Sequence, residues 1–228
     1  MRASGLVLVA AGLLVAGCGG HSKSASSNGE AAKSADAVLA DAKAAADSAS
    51  SAHVSGSISS GGTPITIDLT MGKDKAKGSM STSGLAFDLV RVGDTAYIRG
   101  SDDFYKHYAG AAIAQLLHGK WLKTPTAGGR FGSLAALTSI SQLFGKVAAN
   151  HGKLANDGKK TFDGQQVVEI RDTSDNSRLY VAATGKPYPV AIVGSTKGQS
   201  GTISFDDWNK SFSVSAPQGA IDISKLGG

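Results

Sequence analysis

The chain has 228 residues, of which 41% are hydrophobic and 18% are charged, so it can bury a core and is not a polyelectrolyte. Its single cysteine excludes an internal disulfide scaffold, and its net charge of +5 is spread along the chain, which argues against a nucleic-acid partner. With 30 glycines and only 5 prolines, we expect a turn-dense, β-rich fold rather than a collagen-like or proline-rich chain.

The N-terminal segment has the pattern of a signal peptide. Arg2 precedes an apolar or small run from Leu6 to Ala16, which covers only about half of a bilayer's hydrocarbon thickness. The run ends in Val15-Ala16-Gly17-Cys18, the order of a bacterial lipobox, in which the cysteine receives a diacylglycerol thioether. We therefore predict that residues 1–17 are removed and that acylated Cys18 anchors an exported protein to the outer face of the cell membrane. The alternative is a plain secretory signal with an incidental cysteine.

A tether and a helix are predicted next. Residues 18–33 carry no large apolar side chain, so we expect them to form a flexible tether. From about Ala32 to Ala49 apolar residues recur at helical spacing, and Ser34 can cap the first turn, which predicts an amphipathic helix. We expect residues 34–228 to form a single domain.

Strict two-residue alternation then predicts an antiparallel meander of about five strands. The pattern is clearest in Ile65–Met71 and Leu85–Leu89, and it also holds for Val54–Ile58 and Thr95–Arg99. Glycine-containing turn signals separate these runs.

The period changes between Asp102 and Asn150, where three- and four-residue spacing predicts two helices separated by a loop around Trp121–Pro125. From Lys153 the alternation returns, and it predicts about five or six further strands, with Phe212 and Val214 in the last. The predicted fold class is α+β: one large curved antiparallel sheet, a half-barrel of about 10–11 strands, with helices covering its concave face.

No catalytic or metal-binding pattern is present. The five histidines, His21, His53, His107, His118 and His151, lack the spacing of a zinc site, and no G-x-S-x-G motif occurs. The anchor uses the only thiol. The pairs Asp102-Asp103 and Asp206-Asp207 are interpreted as helix-capping and turn residues. We predict no enzyme activity, no metal and no cofactor.

Several short segments of the sequence occur in an order that is typical of a known family. They are the lipobox at Cys18, Val92–Ile98, Lys120-Trp121-Leu122, Leu179–Pro187, Ile203–Trp208 and Val214–Pro217. This ordered set resembles the actinobacterial LppX/LprG-type envelope lipoproteins, relatives of the LolA/LolB lipoprotein carriers, and it spans nearly all of the chain after about residue 35. The resemblance implies a LolA-like half-barrel with a hydrophobic cavity for acyl chains, and hence binding and transport of lipids or lipoglycans within the cell envelope.

On this basis the cavity lining is predicted from the apolar residues of the first meander and the helical insert. They are Ile65, Ile67, Leu69, Met71, Leu85, Phe87, Leu89, Leu116, Leu117, Leu137, Ile140 and Phe144. The predicted partners are a lipid or lipoglycan, the membrane, and an envelope transporter or acceptor protein. The same residues would also suit a solid core, so the alternative is an interaction or scaffold lipoprotein that binds an envelope protein through its surface.

Overall fold

The computed structural model describes residues 26–126, 138–196 and 199–223, which contain a sheet of twelve strands and four α-helices. The predicted lipidation site Cys18 and the predicted lining residue Leu137 lie outside the described residues. The strands are β1 (Ser51–Ser60), β2 (Thr63–Gly72), β3 (Lys75–Thr82), β4 (Leu85–Val92), β5 (Thr95–Gly100), β6 (Leu122–Pro125), β7 (Leu154–Phe162), β8 (Gln165–Asp172), β9 (Arg178–Ala182), β10 (Pro189–Thr196), β11 (Gln199–Asp206) and β12 (Ile221–Asp222). The helices are α1 (Ala35–Ser48), α2 (Asp102–Ala109), α3 (Ala111–Leu117) and α4 (Ile140–Ala149), and a short 3-10 helix, Glu30–Ala32, precedes α1.

The two meanders join into one sheet through β1 and β11. The strand order is β12-β6-β5-β4-β3-β2-β1-β11-β10-β9-β8-β7, and the two edges within the described residues are β12 and β7. Neighbouring strands are antiparallel except for β12 and β6, which are parallel. The predicted α+β class and the open, mostly antiparallel sheet are confirmed, with one or two strands more than expected.

One face of the sheet is buried and the other is in contact with water. In β2, Ile67, Leu69 and Met71 are buried while Thr66 and Asp68 are exposed, as the period of two requires. We call the buried face the inner face.

Glycines inside three strands allow the sheet to bend. Gly56 in β1, Gly78 in β3 and Gly201 in β11 have φ of 133°, 149° and 121°, which side-chain-bearing residues rarely adopt. A Cβ at Gly78 would overlap the carbonyl oxygen of Asp68 on β2, and the other two glycines face carbonyls of the neighbouring strand in the same way. Such close backbone approaches bend strands, so these positions give the sheet its curvature.

Helices α1 and α4 pack side by side on the inner face. The Ser34 side chain accepts a hydrogen bond from the Ala37 N–H (3.3 Å), which confirms it as the N-cap of α1. Ser141 at the start of α4 donates to Asp47 near the end of α1 (2.5 Å), so the two helices run antiparallel.

The helical insert differs from its prediction. In the described parts of the insert, residues 102–126 and 138–150, there are three helices and a strand where two helices and a loop are expected, because Leu122 pairs with Ile98 of β5 and makes residues 122–125 into β6. Phe212 and Val214 are also not in a strand; the last strand is β12. Lys75 fixes the segment at Phe212 instead, since its ammonium donates to the Phe212 carbonyl (2.9 Å) and lies 4.9 Å from the ring centre.

Candidate functional site

The inner face is not covered equally at its two ends. We call the end that contains the turns at residues 61–62 and 83–84 and the last residue of β5, Gly100, the hairpin end, because α2 begins directly after it. We call the opposite end, with the turns at residues 73–74 and 93–94, the far end.

Apolar side chains at the far end are fully covered. Leu69, Met71 and Leu89 are 0% exposed, and Ile98 is 1% exposed. At the hairpin end the same strands carry Ile58, Ile65, Met80 and Leu85 on the inner face, and these side chains are only half-buried. The strand register places them together. Ile58 pairs with Ile65 on β2, Ile65 pairs with Thr82 on β3, and Thr82 pairs with Leu85 on β4. The hairpin end therefore exposes a row of apolar side chains along several strands.

Helix α4 covers the middle of the inner face. Phe144 packs edge-on against Phe205 of β11, with ring centroids 5.9 Å apart, and it is 1% exposed. Ile140 is also buried in the core. These two side chains fill the space where α4 crosses the seam of the two meanders.

A cavity of about 70 Å³ lies between α1, α4 and strands β7–β10. Its apolar lining includes Leu39, Phe144, Leu154, Ile170, Leu179 and Ile192. Polar residues Asn150, His151, Asp172 and Arg178 stand at its rim, close to the hairpin-end termini of β7, β8 and β9. This cavity and the half-buried row therefore lie at the same end of the sheet.

The rim carries an ionised carboxylate. Burial raises the pKa of Asp172, but hydrogen bonds from the Ser174 hydroxyl (2.5 Å) and from the Gly152 N–H (2.6 Å) outweigh burial, so the pKa lies below its ordinary value. A fixed negative charge thus stands beside the apolar lining.

The structure brings most of the predicted lining residues together in one core. Those that are buried are Ile67, Leu69, Met71, Phe87, Leu89, Ile140 and Phe144, and those that are half-buried against them are Ile65, Leu85 and Leu117. Leu116 is 71% exposed and points away from this core. Phe144 is the member of the predicted set that also lines the cavity.

The lining residues of β7–β10 and Leu39 of α1 are absent from the sequence prediction. The sequence does contain a signal for these residues, because apolar residues also alternate in the second meander, for example Val168 and Ile170 in β8. The predicted lining takes its sheet residues from the first meander alone, whereas α4 packs on α1 and the two helices line the cavity together with β7–β10.

A wider groove of about 670 Å³ lies on the outer face at the hairpin end. Its walls combine the apolar residues Met80, Ala86 and Phe87, of which Phe87 belongs to the predicted lining, with polar residues such as Thr66, Ser79 and His118 and with the ion pair between Asp88 and Arg99 (2.7 Å). The smaller cavity is lined by residues of both the helices and the sheet, so hydrocarbon there would be covered from two sides, and it is the better candidate for an acyl chain.

Among the described residues, no three His, Cys, Asp or Glu side chains are grouped so that they could hold a metal ion. None of the helices in the described ranges combines the length and the apolar character needed to cross a membrane.

No protein-family model matches the chain, and no curated protein matches its sequence. Solved structures match its fold. LprF from Mycobacterium bovis is 13% identical, with 81% of this chain and 97% of that chain covered and a TM-score of 0.56. The lipoprotein LppX from Mycobacterium tuberculosis is 15% identical, with 79% and 98% covered and a TM-score of 0.50. At these identities the similarity concerns the fold, and at that level the predicted resemblance to LppX/LprG-type lipoproteins is confirmed.

Proposed function

We propose that this protein is a membrane-anchored lipoprotein that binds acyl chains of a lipid or lipoglycan between the inner face of the sheet and helices α1 and α4, and carries them within the cell envelope. The observation that carries the proposal is the half-buried apolar row at the hairpin end, the same end of the sheet as the cavity under α1 and α4. The fold shared with LprF and with the lipoprotein LppX supports it.

The driving force for such binding is large. Each methylene removed from water contributes about 0.8 kcal/mol, so a dozen methylenes contribute on the order of 10 kcal/mol before the chain's lost freedom is counted. Side chains such as Ile65 and Leu85 offer a lining with no polar atom that a bound hydrocarbon would leave unsatisfied.

Binding requires the helical cover to move. A volume of about 70 Å³ equals roughly two water molecules in the liquid, while pockets for drug-sized ligands measure roughly 300–1,000 Å³. Displacing α4 from the sheet would expose Phe144 and Ile140, and uncovering each large apolar side chain costs about 1.5–3 kcal/mol. This cost is smaller than the gain from burying an acyl chain, so α4 is proposed as the element that gives way to the ligand.

The anchor is part of the proposal. A diacylglycerol on Cys18 supplies at least two acyl chains, enough to hold a protein stably on a membrane, whereas one chain binds reversibly. The predicted tether of residues 18–33 is shortened by contacts of its last residues with the fold, since the Asn28 side chain donates to the Ala182 carbonyl (2.8 Å) and Glu30 is buried. The residues between Cys18 and Asn28 would keep the folded part within reach of the membrane from which a lipid is taken, and a transporter or acceptor protein would receive it. No step of this activity breaks or forms a covalent bond, so we propose no enzymatic role.

A second candidate is a scaffold lipoprotein with a solid core that binds an envelope protein. The packing of Phe144 against Phe205 favours it, because these rings fill the space under α4.

Native mass spectrometry separates the two candidates. The protein is expressed in cells whose membranes can supply the lipid, and it is purified without added lipid. The carrier should retain an amphiphile that organic solvent extracts, and adding that amphiphile back should raise the melting temperature. A protein that carries no amphiphile and shows no thermal shift with phosphatidylglycerol would favour the scaffold.

A further inference from the structure

The helical hairpin formed by α2 and α3 carries an unusual outer surface. Within the part of the chain that the structure describes, four large hydrophobic side chains are exposed, and three belong to this hairpin: Tyr108 (53%), Ile113 (42%) and Leu116 (71%). The fourth, Val92 (38%), lies at the far end of β4. Scattered apolar residues are ordinary on a protein surface, but a concentration in one short element indicates a binding surface.

The exposure does not come from loose attachment, since the opposite side of the hairpin is firmly fixed. Phe104 packs on Phe87 with ring centroids 5.3 Å apart. It also lies so close to Gly100 that a Cβ at position 100 would overlap the Phe104 ring. The Tyr105 hydroxyl accepts a hydrogen bond from the Gly100 N–H (2.9 Å) and donates one to the Lys120 carbonyl (3.2 Å). The hairpin therefore holds its apolar side chains outward on a rigid base.

The N-terminus of α2 is satisfied without help from a partner. Ser101 caps α2 by accepting from the Phe104 N–H (3.2 Å), while Asp102 and Asp103 occupy the first turn rather than the cap. These two carboxylates stand at the base of the hairpin next to the sheet. The segment from Ala109 to Ala112, where the helices join at Gly110, carries no charged side chain.

The chemistry of this surface fits the headgroup–acyl boundary of a bilayer. A helix that lies in that boundary presents apolar side chains on one face, an aromatic residue with a polar tip, and lysines at its margins. Here Tyr108 supplies the aromatic tip, and Lys106 and Lys120, which flank the apolar residues in the sequence, are exposed. The pair between Lys106 and Asp103 (3.2 Å) is exposed to water, so it holds the lysine only weakly and leaves it able to meet anionic headgroups.

We propose that the α2–α3 hairpin docks on an anionic lipid bilayer with Tyr108, Ile113 and Leu116 in the interface. Because the hairpin follows Gly100, this docking brings the half-buried apolar row at the hairpin end against the membrane. The consequence for lipid loading rests on the proposed function, but the docking itself does not.

The only native cysteine makes a site-specific test possible. The full chain with Cys18→Ala and Leu116→Cys is labelled at position 116 with the environment-sensitive dye nitrobenzoxadiazole and mixed with vesicles of equal parts phosphatidylglycerol and phosphatidylethanolamine. We expect the dye emission to shift to the blue and brighten, because the dye enters a less polar layer. The matched control carries Cys18→Ala with Val92→Cys, whose dye stays in water even if the N-terminal apolar run brings the chain to the vesicle.

Adding Ile113→Ser to the labelled chain should weaken the partition measured by titrating vesicles by about fivefold, since part of one aliphatic side chain no longer enters the interface. Equal emission from positions 116 and 92, or a partition unchanged by Ile113→Ser, would overturn the docking. Failure of the carrier function is seen separately: a protein that retains no amphiphile but gives the blue shift at position 116 docks without carrying lipid.

Discussion

Phe144 of α4 meets Phe205 of β11 edge to face, with interplanar angle 89°, and this contact closes the space between the helical cover and the seam of the two meanders. Edge-to-face aromatic pairs add about 0.5–1.5 kcal/mol beyond their area burial. Since the adjoining cavity measures only about 70 Å³, under the proposed function the contact that stabilises the empty protein would compete with an acyl chain for its place. At Phe144, the packing that stabilises the folded protein should therefore work against the proposed binding of lipid.

Replacing Phe144 with Ala should lower the free energy of unfolding by about 3–5 kcal/mol and at the same time increase the amount of lipid that the protein retains. The first effect follows from the lost burial, and the second from the space that the missing ring leaves for hydrocarbon. Urea unfolding and native mass spectrometry measure the two.

The control for this variant is Ile98→Ala, which removes a side chain that is 1% exposed near the far end of the sheet. It should destabilise the protein without raising lipid retention. If Phe144→Ala and Ile98→Ala change retention equally, Phe144 does not guard the binding space.

Leu85→Trp should block lipid uptake while leaving the fold intact. Leu85 is half-buried at the hairpin end, so a larger ring can extend into the proposed opening without overpacking the core. Phe87 is a poorer position for the same test, because it is 6% exposed and packs on Phe104. Uptake is followed with a fluorescent fatty acid, and circular dichroism checks the fold.

The matched control is Val92→Trp, on the same strand but exposed at the far end. It should take up the fatty acid as the unmodified protein does. Normal uptake by Leu85→Trp would remove Leu85 from the lining.

Much of the sheet is predictable from sequence because one buried face imposes a period of two on long strands such as β2 and β4. The short strand β6 is not, since Leu122–Pro125 shows no clear alternation and becomes a strand only by pairing with β5. The cavity is less predictable still, because its walls are set by a contact between α1 and α4, such as that of Asp47 with Ser141, 94 positions apart. Helical spacing gives Leu116 and Phe144 the same pattern, and only the packing separates the exposed residue from the buried one.

Gly78→Ala should destabilise the protein by about 1–3 kcal/mol or more, because Gly78 has φ of 149° and its new Cβ would overlap the Asp68 carbonyl oxygen. The same substitution at Gly145 should instead stabilise the protein. Gly145 lies inside α4 with open space around its Cβ position, so alanine raises helix stability by up to about 1 kcal/mol. Thermal unfolding of the two variants tests the pair; equal losses would contradict the role of Gly78 in bending the sheet.

Acylation of Cys18 should be detectable directly. Cells grown with an alkyne-bearing fatty acid should label the protein, and Cys18→Ala should abolish the label because no other residue of the chain offers a thiol. The hairpin variant Leu116→Ser, which keeps Cys18, serves as the control and should be labelled normally. Label that persists in Cys18→Ala would exclude a thioether anchor.

His53 should make the protein more stable in mild acid. It lies on the outer face of β1 between Asp68 of β2 (2.9 Å) and Asp206 of β11 (3.0 Å), and thus bridges the strands at the seam of the two meanders. Burial lowers the pKa of His53, but the hydrogen bonds to the two carboxylates outweigh it, so the pKa is raised above its ordinary value. A group whose pKa is higher in the folded protein stabilises the fold fully below its unfolded pKa of about 6.5 and loses this contribution as pH rises through the folded pKa.

The free energy of unfolding, measured in urea at about pH 6 and about pH 8, should therefore fall with rising pH by an amount that disappears in His53→Gln. His107→Gln, at an exposed position on α2, should keep the full dependence. A pH dependence that survives His53→Gln would assign it to other groups, and the link between β1, β2 and β11 would then not depend on the charge of this imidazole.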